Sequence, residues 1–228
     1  MELNKIIFQY YPAFVKSKKP IGEIDLGYFL NAIKNPDPRI SKVFRLISIA
    51  ESYGNMKRKA SLKQNNLYYF TPCIKTDGIN RGYKNIKSWT GIAVLDFDHI
   101  ENAEEFKKYV FDTYKFIIGA FLSPSKRGVK FIVKIPLVDS VEAFKSYYYG
   151  LGTIFDRYNG WDGTGQNCVL PLFLSTDPDI MIRNDAEVFE KQGKKIDFFS
   201  TSTIQTAPVE VKDGDQKRIY ENAQKAFN

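Results

Sequence analysis

The sequence predicts an α/β protein of the α+β kind, with an N-terminal α/β module followed by a ferredoxin-like (RRM-like) half. Two observations carry this. From Gly91 onward, apolar runs of strand length alternate with amphipathic stretches in the order strand, helix, strand, strand, helix, strand. Before Gly91, one alternating strand and two helical patterns form a separate set. The composition supports a packed core, since 43% of the 228 residues are apolar and 15% are aromatic.

In residues 4–15, Ile6, Phe8 and Tyr10 alternate with polar neighbours and predict a strand ending near Pro12. Asp25 can cap a helix through about Asn35, and Pro38 can open a second through about Ser52, with Ile40, Val43, Phe44 and Ile47 at helical spacing. Lys57, Arg58, Lys59 and Lys63 read as a solvated basic loop, with a phosphate-backbone contact as the alternative. A strand from Leu67 to Ile74 and a loop from Thr76 to Ser88 follow.

The second half opens with Gly91–His99, GIAVLDFDH, an apolar strand ending in two acids. ENAEEFKKYVFDTY then reads as a helix burying Ala103, Phe106, Val110 and Tyr114. Strands Phe116–Leu122 and Val129–Ile135 flank the tip SPSKRG as a hairpin. Asp139 and Glu142 start a helix in capping-box fashion, which ends near Gly160 and buries Phe144, Tyr147, Tyr148, Leu151, Ile154 and Phe155. Cys168–Leu174 reads as a further strand and Met181–Phe189 as a last one. The expected layout is one domain over 1–196, divided into 1–90 and 91–196, with 197–228 a linker and the start of a following helical segment.

The formal net charge of +7 favours an anionic partner such as nucleic acid or phosphorylated substrates. Cys73 and Cys168 lie far apart without CxxC spacing, which argues against a disulfide framework and a zinc site. No signal-like N-terminus or bilayer-length apolar run is present, so the expectation is a cytoplasmic protein with no membrane partner.

Asp96 and Asp98 stand two apart on a strand and therefore leave the sheet on one face. Two carboxylates that close repel, and the repulsion is relieved if one stays protonated or if a divalent cation sits between them; oxygen ligands of this kind suit Mg2+ or Mn2+. The bland alternative is a solvated acid pair. A ferredoxin-like sheet with its second face free and this pair on its first strand has the arrangement of a polymerase palm, which normally needs a third carboxylate. Asp162 is the leading choice, because it ends the second helix and precedes the strand expected beside the acidic one. Asp177 and Asp179 in STDPD are the reserve, although Asp-Pro-Asp is good turn chemistry. Ser123, Ser125, Lys126, Arg127, Gly128 and Lys130, at the hairpin tip and its exit, offer what a triphosphate binds: hydroxyls, charge and close backbone. His99 points to the opposite face by alternation, in a packed or capping role. Trp89 and Trp161 read as core and rim, while Tyr69 and Tyr83 lie near basic residues and are candidates to stack on a template.

The run LDFDHI, then SPSKRGVKFIV, then WDGTGQNCVLPLFLSTDPD followed by NDAEVF resembles the archaeo-eukaryotic primase superfamily. Within it, the similarity is to the primase-polymerase-like VirE N-terminal domains of bacterial mobile elements, and it covers roughly residues 60–190. The resemblance implies a primase or template-dependent polymerase using nucleoside triphosphates, Mg2+ or Mn2+ and a single-stranded template in replication of a mobile element or phage, with a downstream helicase domain or partner. It implies metal ligation by Asp96, Asp98 and Asp162, and phosphate contact by Ser123, Ser125, Gly128 and Lys130, the last standing where histidine is common. Leu170 stands where the family commonly has an arginine; Lys126, Arg127 and Arg183 are the possible substitutes. The main alternative is a degenerate palm that binds nucleic acid without chemistry. A haloacid-dehalogenase-like phosphatase fits less well, because Ile100 stands where that family has threonine or valine. A rolling-circle nuclease is excluded, since His99 is the only histidine.

Overall fold

The computed structural model describes residues 2–194, which belong to one compact unit; the expected linker and helix start in 197–228 lie outside the described residues. The described chain is mixed α/β, with five α-helices and three antiparallel sheets.

A four-stranded sheet is built from β1 (Ile7–Tyr11), β2 (Gly22–Asp25), β3 (Tyr69–Phe70) and β10 (Leu172–Phe173), in the order β10-β3-β1-β2. Three helices lie between β2 and β3: α1 (Leu26–Lys34), α2 (Pro38–Ser52) and α3 (Met56–Asn66). Asp25 caps α1 by accepting from Tyr28 N at 2.8 Å, and Asp37 caps α2 ahead of Pro38. The basic segment expected as a loop is α3, capped by Asn55. Its apolar content is too low for a periodic signal, and the surrounding fold holds it helical. Residues 76–88 are likewise not all loop. β4 (Ile74–Thr76) and β5 (Ile86–Trp89) form a small hairpin-like sheet, and buried Gln9 ties it to β1 through Thr76.

The second half follows the expected order through α5: β6 (Ile92–Phe97), α4 (Ala103–Thr113), β7 (Ile117–Leu122), β8 (Val129–Lys134) and α5 (Val141–Phe155); the strand that completes it is β9 (Trp161–Asp162), not the expected Cys168–Leu174. The sheet order is β11-β7-β8-β6-β9, with every neighbour antiparallel and β11 (Met181–Ile182) added at the β7 edge. These are two interleaved split β-α-β units, the ferredoxin-like order. Ser140, rather than Asp139, caps α5, its hydroxyl accepting from Ala143 N at 3.3 Å.

Strand alternation divides the core in two. Ala93, Leu95, Phe97, Phe131 and Val133 face α4 and α5, while Ile92, Ile118, Phe121 and Ile132 face Phe8, Phe29, Leu30, Ile33 and Phe70 of the first half. The second face expected to be free is therefore largely covered. The cause is the apolar character of those positions, since β7 is buried at all six residues. What remains for a site is the end of the sheet where the acids emerge. The segment 168–174 also departs from expectation: Leu172 and Phe173 pair with Phe70 and Tyr69, so the later chain closes the N-terminal sheet.

Candidate functional site

The site is a row across three strands. Asp96 of β6 is in register with Lys130 of β8 on one side and with Asp162 of β9 on the other. Directly opposed residues share a face, so all three side chains emerge together, and Asp98 joins them two residues on. Between the two acids, Phe97 is fully buried among Phe106, Phe131, Phe155 and Trp161, with ring centroids 5.0–6.0 Å away. This anchor fixes the strand end and directs both carboxylates to the other side. One ligand oxygen from each of Asp96, Asp98 and Asp162 lies within 4.8 Å of the others.

The third acid was expected to precede the strand beside β6; it lies on that strand, which is only two residues long. Asp98 is held by its own backbone, Asp98 N donating to Gly160 O at 2.8 Å, and Ile100 N donates to Arg127 O at 2.9 Å. His99, between them, is exposed with φ 58° in this turn. It neither packs nor continues the strand alternation, because the strand ends at Phe97.

Charge in the site is uneven. The Lys130 ammonium pairs with Asp96 Oδ2, whereas Asp96 Oδ1 is buried without a hydrogen-bond partner. A buried, unpartnered carboxylate oxygen is costly unless a cation completes it. Asp162 is engaged locally, Oδ1 accepting from Thr164 N at 2.9 Å and Oδ2 from the Thr164 hydroxyl at 2.8 Å. Tyr148 is buried behind the acids, its ring stacked on Trp161 and its hydroxyl donating to Asp162 O at 3.3 Å. Burial first, then the carboxylates of Asp162 and Asp96, raise its pKa well above the ordinary phenol value, so it stays a neutral donor. Sequence reading took Tyr148 only as the inner face of a helix. A hard, all-oxygen donor set with an orphaned acceptor fits Mg2+ or Mn2+.

The hairpin tip divides between two places. Ser123 is buried, its N–H donating to Gly128 O at 2.7 Å and its hydroxyl 3.2 Å from that of Ser125. A Cβ on Gly128 would lie 2.6 Å from Phe97 O, 3.1 Å from Ser123 Oγ and 3.2 Å from Asp98 Oδ1, so the glycine lets the tip sit flush against Asp98. Arg127 is exposed beside it. Lys126 does not join them. With φ 65° it turns away, and its ammonium donates to Thr176 O. Burial lowers its pKa, with Asp177 opposing that shift first among the charges.

Asp177 is not a reserve ligand for this site. It is fully buried and accepts from Lys107 Nζ at 2.8 Å and from Leu122 N at 2.9 Å. With Glu104 and Asp179 it forms a second acidic group whose cation is Lys107. The turn reading of STDPD also holds locally, since Asp179 N donates to Asp177 Oδ1 at 3.1 Å. Of the proposed substitutes for the missing arginine, Arg183 is committed elsewhere, to the carbonyls of Phe111, Tyr114 and Ile117. Tyr69 is unavailable for template stacking: it is fully buried, stacked on Tyr11 at 4.6 Å with Arg81 over its ring. Tyr83 is 44% exposed, with its hydroxyl on Asn167. Trp89 and Trp161 are partly buried against the core, as expected.

The family model described as BT4734-like, N-terminal domain, matches residues 62–181. The chain belongs to this family. The match runs from the last turn of α3 to β11, so the BT4734-like region contains every residue of the acidic site and the hairpin tip. Comparison with curated proteins and with solved structures found no match. Among the described residues no helix is long and apolar enough to cross a membrane.

Proposed function

We propose that this chain is a metal-dependent nucleotidyltransferase of the primase-polymerase type, working on nucleoside triphosphates and a single-stranded template. The observation that carries the reading is the three-strand row with Asp98 at its end. It puts three carboxylates within reach of a common cation, beside a lysine and a serine-containing tip. The ferredoxin-like strand order and the resemblance of LDFDHI, SPSKRG and WDGTG to archaeo-eukaryotic primases support the same reading.

Asp96, Asp98 and Asp162 would hold Mg2+ or Mn2+, which when bound supplies Lewis-acid activation of a hydroxyl and neutralises phosphate charge. Ser123 and Ser125 supply hydroxyls at the tip, Arg127 supplies an exposed guanidinium, and Lys130 lies beside Asp96 to contact phosphate once released from that pair. Lys126 drops out of the nucleotide set because its ammonium is engaged at Thr176. The Asp96–Lys130 pair also favours a second reading, a palm that binds nucleic acid without chemistry, since the lysine already neutralises one ligand.

One assay separates the two: template-dependent synthesis of labelled product with Mg2+ or Mn2+, beside Asp96→Ala/Asp98→Ala. Product from the unaltered chain alone is expected. No product from either, with template still bound, would move the reading to the binding palm.

A further inference from the structure

The positive charge of the chain is confined to one half. Residues 1–90 hold 16 lysines and arginines against 6 acids, whereas residues 91–228 hold 17 against 20. Soluble surfaces ordinarily mix both signs. Two stretches of the first half carry no acid at all: residues 12–20, with Lys16, Lys18 and Lys19, and residues 52–66, with Lys57, Arg58, Lys59 and Lys63. Lys16, Lys18, Lys19, Lys57 and Arg58 are exposed, and among the described residues none of them is in an ion pair.

Backbone hydrogen bonds join these stretches into one surface. Val15 N donates to Gln64 O at 2.8 Å, which seats residues 12–20 against the last turn of α3. Arg81 N donates to Lys18 O at 2.8 Å, which adds the segment between β4 and β5 with its exposed Lys84 and Lys87. Two aromatic rings lie exposed along this surface, Phe14 at 47% and Tyr83 at 44%. Its far end adjoins the acidic site: the Arg81 guanidinium donates to Val169 O and the Tyr83 hydroxyl to Asn167 Oδ1, and Asn167 lines the same cavity as Asp96 and Lys130.

We propose that this surface is a binding track for single-stranded nucleic acid, running from α3 over residues 12–20 to the segment between β4 and β5, where it meets the acidic end of the sheet. It rests on the template-binding part of the proposed function and names the surface that serves it. Cations spaced along a ridge follow a phosphate backbone, and aromatic rings between them stack on bases whose faces a duplex would hide. Residues 12–20 and most of α3 lie outside the matched 62–181, so the track belongs largely to the part of this chain that the family model does not reach. α3 buries none of its residues fully, which leaves its positions free to carry cations and amides instead of a core stripe.

The test is fluorescence anisotropy of a labelled oligothymidylate of about twenty nucleotides over a range of salt concentrations. It compares the unaltered chain with Lys57→Gln/Arg58→Gln, Lys16→Gln/Lys18→Gln, Phe14→Ala and the control Lys108→Gln/Lys115→Gln, which removes the same charge from exposed lysines of the second half. Each double variant on the track should lower the slope of log K against log salt by about 1.4, a loss of roughly twentyfold at about 0.1 M salt, since each phosphate contact on a single strand contributes about 0.7. Phe14→Ala should weaken binding about tenfold with the slope unchanged, the signature of a lost stack and not of a lost charge. The control should bind within about twofold of the parent, because salt screens distant exposed charges. Equal losses in the control and the track variants would show a response to net charge alone and overturn the proposal. Parent-like binding by both track variants would put the strand elsewhere and overturn it while leaving the template reading intact. Tighter binding of a duplex of the same length would overturn the single-strand assignment. If the unaltered chain binds no oligonucleotide, the template reading falls and the track with it.

Discussion

At the scale of single residues, the acidic site depends on Phe97 and Gly128. Phe97 is why two acids spaced by one residue become neighbours in space: its ring is held in the core, and the pleat does the rest. Gly128 is why the hairpin can approach them. Gly128→Ala would place a methyl 2.6 Å from Phe97 O, and such overpacking costs about 1–3 kcal/mol. Urea unfolding of the variant should show that loss, and a parent-like midpoint would mean the tip is free to shift. The buried thiols make a second prediction. Burial pushes Cys168 up to about 12 and Cys73 higher still, and Tyr148 is raised as well. These groups keep their protons in the native state when the unfolded chain releases them. Their contribution to stability is therefore complete below the ordinary thiol value of about 9 and is lost as pH rises toward 12. Chemical denaturation from pH 8 to 11 should show falling stability, and native thiols should react slowly with a disulfide reagent at pH 8.

At the scale of elements, the segment STDPD acts as a clamp. Asp177 joins α4 through Lys107 to the end of β7 through Leu122 N, and Ser175 donates its hydroxyl to Leu122 O. This fixes β7 one residue before Ser123, so the hairpin tip inherits its position from a segment more than fifty residues later. Both members of the ion pair are nearly inaccessible, at 3% and 1%. Removing one partner leaves a buried charge uncompensated, which costs about 3–5 kcal/mol. Lys107→Met, which keeps the length of the side chain, should lower the urea midpoint accordingly; an unchanged midpoint would mean that Lys126 takes over the role.

At the scale of the whole molecule, the two halves share a core, so the five-stranded sheet is not an independent unit. Ile92, Ile118, Phe121 and Ile132 are covered by residues from β1, α1 and β3. Exposing four such side chains forfeits roughly 6–12 kcal/mol at about 1.5–3 kcal/mol each, as much as the whole net stability of an ordinary domain. A fragment comprising residues 67–194 should therefore fail to give a sharp near-ultraviolet circular dichroism spectrum and should associate on size exclusion. A monomeric, cooperatively folding fragment would contradict the shared core.

The sequence alone determined the features that rest on local periodicity and on short-range chemistry. The order of elements from Gly91 through the helix at Val141–Phe155, the cap at Asp25, the helix start at Pro38, the shared face of Asp96 and Asp98, and the basic serine-containing tip were all legible there. Pleat and helix periods are properties of the backbone and need no partner. Only tertiary structure decided the rest. It sent Lys126 to Thr176, buried Lys107 against Asp177, and put Asp162 in register with Asp96 from a strand too short to leave a pattern. It made α3 helical despite its polar sequence. It also covered the second face of the sheet, because burial on that face is settled by which distant segment packs there. Charged side chains and short edge strands have no period of their own, so their positions follow from contacts between residues far apart in the chain.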